Sequence, residues 1–384
     1  MNIRLQPSPS RSFSEQSLQT ATVWDLPLRV FHWGMVSVVV LAGITGFLAP
    51  EWWLDLHIIA GYALGALLAF RLAWGFVGSP YSRFNSFPLA FTRLRAHLRS
   101  ILHGNPHVTI GHNPAGAWMI VILLCTLTTL VLSGLIVLGG QENLGPLAAV
   151  TSFQTGTGVK EIHETAAGIL VGAVAIHLLG VFVETRIFRH PVLAAMLIGR
   201  KRQLDLHDGT TGKPYAVRGS ILFMMITASL VIAGMSLATM PSPAWRAVAV
   251  PEVYSNECGD CHHAYHPSLR SRAAWQSIMN GLADHYGEDA SLDEETTTII
   301  RTYLDENNAG TFDTEVSQRV GRIDSPSFRM TDTAYWKKRH EDIDSSVFRL
   351  KAVGSKVNCN NCHKDAASGR FDDANIHVPT GNQT

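Results

Sequence analysis

Five long apolar runs alternate with polar connections over the first 240 residues. They cover 30–49, 57–77, 117–138, 163–183 and 219–240, each 20 to 22 residues long and nearly free of charge. Roughly 20 helical residues at 1.5 Å each cross a hydrocarbon core of about 30 Å. A helix satisfies its own backbone polar groups in lipid, so the pattern predicts an all-α transmembrane bundle. The alternative is a large soluble helical core, but soluble helices rarely run this long without charges. Beyond 240 the long runs stop and the chain reads as soluble.

Charge sharpens that division. The chain has 31 Lys+Arg against 31 Asp+Glu, and only 16% of its residues are charged, where a soluble chain carries about 25%. Residues 1–240 hold 16 basic and 10 acidic residues, and 241–384 hold 15 and 21. A net charge of zero is therefore a +6 front and a −6 back. It excludes a uniformly basic nucleic-acid binder and a uniformly acidic tail protein.

Orientation follows from the basic residues between the runs. The tail before the first run, with connections 78–116 and 184–218, carries fourteen Lys and Arg; connections 50–56 and 139–162 carry only Lys160. The fourteen-residue side is expected in the cytoplasm, with the C-terminal part outside. A cleavable signal peptide is not expected, because a 29-residue polar tail precedes a run of full spanning length. The fifth run would then act as the export signal. Residues 88–102 read as a surface helix, with Leu94, Leu98, Ile101 and Leu102 on one face.

Four of the 17 histidines lie in the runs: His32, His57, His163 and His177. Ionisable groups are costly in a bilayer and mark function. A single buried histidine is more often a satisfied hydrogen-bonding residue, but these four sit at matched depths. His57 and His163 both open runs on the outer side. His177 is 14 residues past His163, about 21 Å deeper on the same helix face and level with His32. Two pairs result, His32 with His177 and His57 with His163. Each can clamp one haem iron between neutral imidazoles. Gly34, Gly43, Gly46, Gly61, Gly65, Gly168 and Gly172 accompany them. Their missing side chains admit either a flat macrocycle or a neighbouring helix.

Four of the five cysteines form Cys258-Gly-Asp-Cys261-His262 and Cys359-Asn-Asn-Cys362-His363. Cys-x-x-Cys-His is the attachment pattern of c-type haem, with two thioether bonds and the adjacent histidine as proximal ligand. A four-cysteine zinc site is the rival. The histidine after both pairs and their placement outside argue against it. Cys125, in the third run, reads as packing. For the sixth ligands, His285 lies 23 residues after His262 and His340 lies 23 before His363. Proximity suggests those pairings. His263 and His266 are too near His262 to reach the far face of its haem; they could serve the other haem or lie at the surface. Met279, Met330 and His377 are weaker candidates. The first motif follows the fifth run by only 18 residues, so it is expected near the membrane.

The stretches WDLPLRVFHW (24–33), HIIAGY (57–62), RLAWGFVGSPYSRF (71–84), GHNPAGA (111–117) and HETAAGILVGAVAIH (163–177) resemble the bacterial cytochrome b561 and nickel–iron hydrogenase cytochrome b family. That resemblance implies two b haems held by histidines of the first, second and fourth helices. Arg71 and Arg83 could then meet haem propionates or simply anchor the cytoplasmic side, and His112 reads as a helix-boundary residue. Stretches 257–293 and 336–379 resemble the dihaem cytochrome c family, most specifically in DHYGEDASL (284–292). Two bis-histidine haems in a mostly helical domain follow from that likeness, in support of His285 and His340.

The expected organisation is a tail (1–21), a four-helix di-haem b domain (22–218), a fifth span (219–240), a linker (241–256) and a periplasmic dihaem c domain (257–384). The expected function is electron transfer between the quinone pool and a periplasmic acceptor such as a small cytochrome c. Alternatives are a superoxide-oxidising enzyme acting at the outer b haem, an electron-accepting anchor for a periplasmic dehydrogenase, and a redox sensor without turnover. The acidic exported part favours a basic partner. Quinone site, electron direction and oligomeric state stay open.

Overall fold

A computed structural model describes residues 19–50, 53–104, 109, 111–203, 213–240, 247–321 and 329–379. Five helices are long and apolar enough to span a membrane: α1 Leu26–Phe47, α2 Leu54–Val77, α4 Pro114–Gln141, α5 Phe153–Phe182 and α7 Lys213–Ala238. The chain is a transmembrane helical bundle with a helical C-terminal module. Much of the apolar surface of these helices stays exposed, and the most apolar stretch of α7 has no buried residue. In water that would be unfavourable; in lipid it is the solvated state.

α5 starts ten residues before His163, where its apolar run begins. The extension is polar and reaches past the run to Phe153, where the chain meets the C-terminal module. A one-turn π segment, Val183–Ile187, closes its other end. Amphipathic α3, Phe91–Leu102, occupies the predicted surface-helix position. Only His97 is buried there, whereas Leu98 and Leu102 are exposed, as suits a helix with lipid on its apolar face.

The chain clusters into two compact units. The first comprises 1–36, 67–125 and 171–226; the second comprises 37–66, 126–170 and 227–384. In the first, β1 Gln19–Thr22 pairs antiparallel with β2 Arg200–Gln203, just after α6 Val192–Ile198. Asp25 is buried and caps α1 by accepting from the Leu28 amide at 2.7 Å. The same carboxylate accepts from Trp74 Nε1 at 3.1 Å and from Ser82 Oγ at 2.7 Å. One acid thus ties the start of α1 to the end of α2 and the turn beyond it.

The second unit contains the C-terminal module. Its helices are short: α8 Glu252–Glu257, α9 Arg272–Asn280, α10 Glu294–Glu306 and α11 Ala334–Arg339. Ser271 and Asp293 cap α9 and α10 through their side-chain oxygens. One core joins Tyr254, Trp275, Met279, Ile300, Tyr303 and Leu304. A smaller cluster of Leu269, Val316 and Val320 packs with Tyr265, Met330, Tyr335 and Phe371. Long stretches of this module lack regular structure, so side-chain packing carries much of the fold.

Candidate functional site

The structure brings together the histidines that the sequence sorted into pairs. In the second unit the rings of His57 and His163 have centroids 6.3 Å apart. In the C-terminal module His262 and His285 are 6.3 Å apart, and His340 and His363 are 6.1 Å apart. Two imidazoles on opposite faces of one metal, each nitrogen ~2 Å from it, put their ring centres roughly 6 Å apart. All three pairs therefore have the spacing that a shared iron requires. In the first unit His32 and His177 lie close enough to interact electrostatically.

Hydrogen bonds set which ring nitrogen is available. Thr45 Oγ1 donates to the Leu41 carbonyl at 2.9 Å, so its lone pairs face His57 Nδ1 at 3.0 Å. Ser133 Oγ donates to the Thr129 carbonyl at 2.7 Å and faces His163 Nδ1 at 2.9 Å. With each hydroxyl donating to its carbonyl, the ring supplies its Nδ1–H. That leaves both Nε2 lone pairs free for a metal. Backbone carbonyls do the same for His262, whose Nδ1 meets the His263 oxygen at 2.8 Å, and His340, whose Nδ1 meets the Trp336 oxygen at 2.8 Å.

The neighbouring glycines make room for the rings. A Cβ at Gly46 would lie 3.1 Å from His57 Cε1, and one at Gly134 would lie 3.2 Å from His163 Cε1. Gly34 and Gly65 approach Leu67 and Val131, as helix packing requires. A Cβ at Gly43, Gly61, Gly168 or Gly172 would meet no atom within 4 Å. Those four keep space open along the histidine helices, which fits a flat macrocycle. Arg71 is buried under the rings of Phe84 (4.8 Å) and Phe87 (6.0 Å), and its Nη1 has no hydrogen-bond partner among the described residues. An orphaned guanidinium nitrogen fits a carboxylate such as a haem propionate. Arg83 is engaged, with Nε donating to the Gly78 carbonyl at 2.7 Å.

Outside the membrane, burial and His340 push His363 down to about 4. Burial also lowers His285 and His340. These imidazoles are neutral near pH 7, the form that binds metal. Burial pushes the Cys258 and Cys359 thiols up to about 11. Among the described residues no group of three or more His, Cys, Asp or Glu converges on one point.

The remaining candidates are placed differently. His266 is neither a surface residue nor part of a pair: it is 5% exposed, with Nδ1 2.8 Å from Ser268 Oγ and Gly369 packed against its ring. Met279 belongs to the larger core, and Met330 flanks the smaller one. His377 is exposed. Cys125 is exposed on α4 and does not pack inward as expected. His112 packs between Trp24, tilted at 4.5 Å, and Phe87, edge-on at 4.8 Å.

Several contributors escape a motif reading. Thr45 and Ser133 are hydroxyl residues within apolar runs, each followed directly by glycine; that hydroxyl–glycine pairing was the available signal. Trp336 stacks on His340 at 4.3 Å, and Phe371 lies 5.3 Å from His363. Tyr265 stacks on His262 at 5.1 Å and donates its hydroxyl proton to the Val357 carbonyl at 3.2 Å. These arise from folding and have no fixed spacing in sequence.

Apolar spans that enclose paired histidines, followed by two Cys-x-x-Cys-His motifs, define a membrane haem protein with b-type and c-type sites. Residues 23–199 match the family of prokaryotic cytochrome b561, and over 254–371 the chain belongs to the dihaem cytochrome c family. It is similar to a diheme cytochrome c from Rhodobacter sphaeroides at 31% identity, covering 32% of this chain and 98% of that one, with a TM-score of 0.28. A diheme cytochrome c from Shewanella baltica OS155 is 31% identical, covering 34% and 95%, with a TM-score of 0.27. No match to a curated protein was found. The two families make the chain a membrane electron-transfer cytochrome with haem b and haem c as cofactors.

Proposed function

We propose that this protein carries electrons between quinol in the bilayer and a soluble one-electron acceptor in the periplasm. His32 with His177 and His57 with His163 would hold two b haems. Cys258, Cys261 and His262, with His285, hold one c haem; Cys359, Cys362 and His363, with His340, hold the other. Bound haem supplies reversible one-electron iron chemistry, and the protein supplies ligands, spacing and surroundings.

The observation that carries the reading is the common 6.1–6.3 Å ring spacing of three histidine pairs. Paired imidazoles would leave a bound iron no open position for a substrate, which favours electron transfer over turnover at iron. Thr45 and Ser133 hold their rings in one tautomer, so the ligands need little rearrangement between oxidation states. The buried Arg71, with Nη1 unpaired among the described residues, would suit a haem propionate. The fourteen-to-one bias of basic residues between the spans supports a cytoplasmic N-terminus and a periplasmic C-terminal module in a bacterial inner membrane.

The test is a redox titration of the purified protein followed by mixing with duroquinol. Four one-electron components, two b and two c, should appear, and duroquinol should reduce the b components before the c components. Reduction of c components alone would overturn the quinol reading.

A further inference from the structure

We infer that the second haem-attachment motif, with the His340–His363 pair, is seated against the membrane bundle, and that the His262–His285 pair is the outward one. This reverses the order that chain connectivity suggests, since Cys258 follows the fifth span far more closely than Cys359. The assignment rests on the electron-transfer reading for its meaning but on packing for its support.

The contacts lie within the second unit. The Phe153 amide, at the start of α5, donates to Asp313 Oδ2 at 2.9 Å, and Arg319 lies over the Phe153 ring at 5.4 Å. Arg370 Nη2 donates to the Glu142 carbonyl, just past α4, at 3.1 Å. Both anchor points belong to the end of the bundle that carries His57 and His163. Phe153 precedes His163 by ten residues on α5, about 15 Å of helix. Glu142 follows Ser133 by nine.

From this seam, short paths lead to both imidazoles of the second pair. Arg370 adjoins Phe371, which lies 5.3 Å from the His363 ring. Glu315, two residues from Asp313, accepts from the Tyr335 hydroxyl at 2.9 Å, and the next residue, Trp336, stacks on His340 at 4.3 Å. Arg339 Nη2 donates to Asp373 Oδ1 at 3.1 Å, closing the same corner. The aromatic partners of the first pair are Tyr265 on His262, which borders the small core shared with Tyr335 and Phe371, and Tyr286 on His285 at 4.9 Å. Tyr265 then joins the two sites, since its hydroxyl reaches the Val357 carbonyl, two residues before Cys359.

Electrons from the membrane therefore enter the module at the His340–His363 site, cross past Tyr265 and leave at the His262–His285 site. Each transfer moves one electron and no atom. Quinol is the donor, losing two electrons and two protons, and the soluble acceptor takes one electron at a time.

The test measures distance and does not require quinol. A nitroxide is placed at Val150→Cys, an exposed position between α4 and α5, in a Cys125→Ala background of the full-length, haem-loaded protein. His340→Met and His285→Met are made separately; a methionine ligand raises the potential of its own site. Ascorbate then reduces that site alone to a diamagnetic state. The nitroxide should lose most of its c-haem relaxation enhancement in the His340→Met protein and keep it in the His285→Met protein. A second nitroxide at Glu288→Cys, beside His285, should show the opposite pattern. Equal loss in both proteins, or the reverse pattern, overturns the assignment. Failure of duroquinol to reduce the b haems would leave this result untouched and would count only against the quinol reading.

Discussion

Thr45 Oγ1 sits 3.0 Å from His57 Nδ1, and its own proton is committed to the Leu41 carbonyl. Ser133 and His163 repeat the relation from another pair of helices. A hydroxyl that has spent its proton on the turn below acts as a fixed acceptor. Thr45→Val should remove that acceptor and leave Nδ1–H unpaired, at a cost of about 1–3 kcal/mol. The midpoint potential of one b haem should shift while the other three components stay in place. Thr45→Ser should restore it, because the hydroxyl returns. Potentiometric titration of the three proteins checks this.

Gly46→Ala and Gly134→Ala should each reduce b-haem content without touching c-haem content. The added carbon would press on Cε1 of His57 or His163 at 3.1–3.2 Å, and the ring cannot retreat without losing its hydroxyl partner. His177→Ala should remove half of the b haem and leave both c haems, whose attachment is covalent. A pyridine haemochrome spectrum separates b from c directly; a change in c content would contradict the expectation.

Met279→Ala separates core packing from ligation. Met279 is 6% exposed among Trp275, Ile300 and Leu304, so its truncation should cost about 2–5 kcal/mol of stability. The low-spin c-haem spectrum should be unchanged at temperatures where the protein is folded. Loss of a low-spin component would instead mean that this sulfur binds iron.

The seam should loosen as pH rises. Burial, reinforced by Asp373, Glu315 and Asp372, pushes the Glu142 carboxyl up to about 8, from an ordinary value of 4.5. Between those values the native state holds a proton that the unfolded state has released. Stability from this group is therefore present in full below about 4.5 and is lost as pH rises through about 8. Thermal unfolding of the full-length protein across this range should show the decline, and Glu142→Gln should flatten it.

Electron transfer to a basic soluble cytochrome should slow as salt is raised. Residues 241–384 carry six more acidic than basic side chains, and exposed Glu257, Asp260, Asp284, Glu288 and Asp289 flank the His262–His285 pair. Screening shortens the reach of that field to about 8 Å at physiological ionic strength. Stopped-flow rates that do not depend on salt would argue against a basic partner.

Much of this protein is legible along the chain because the relevant physics is local. Twenty-residue apolar runs declare spanning helices, since lipid leaves an isolated segment no other way to satisfy its backbone. Cys-x-x-Cys-His declares its cofactor, since both thiols and the proximal ligand fall within five residues. Even the depth match of His32 with His177 and of His57 with His163 follows from helix rise alone. His266 shows the limit: it is a polar residue beside a haem motif, yet it is buried against Ser268 and Gly369, which no local pattern reveals.

The sequence by itself determined the five spans, the two attachment motifs and the depths of the intramembrane histidines. Only the tertiary structure decided that the His285 ring lies near His262 and the His340 ring near His363, that Thr45 and Ser133 contact the rings on neighbouring helices, and that Arg370 and Asp313 hydrogen-bond to Glu142 and Phe153. Those relations join residues 12 to 228 positions apart. They depend on how helices and loops pack, and packing is set by the sum of many weak contacts rather than by spacing along the chain.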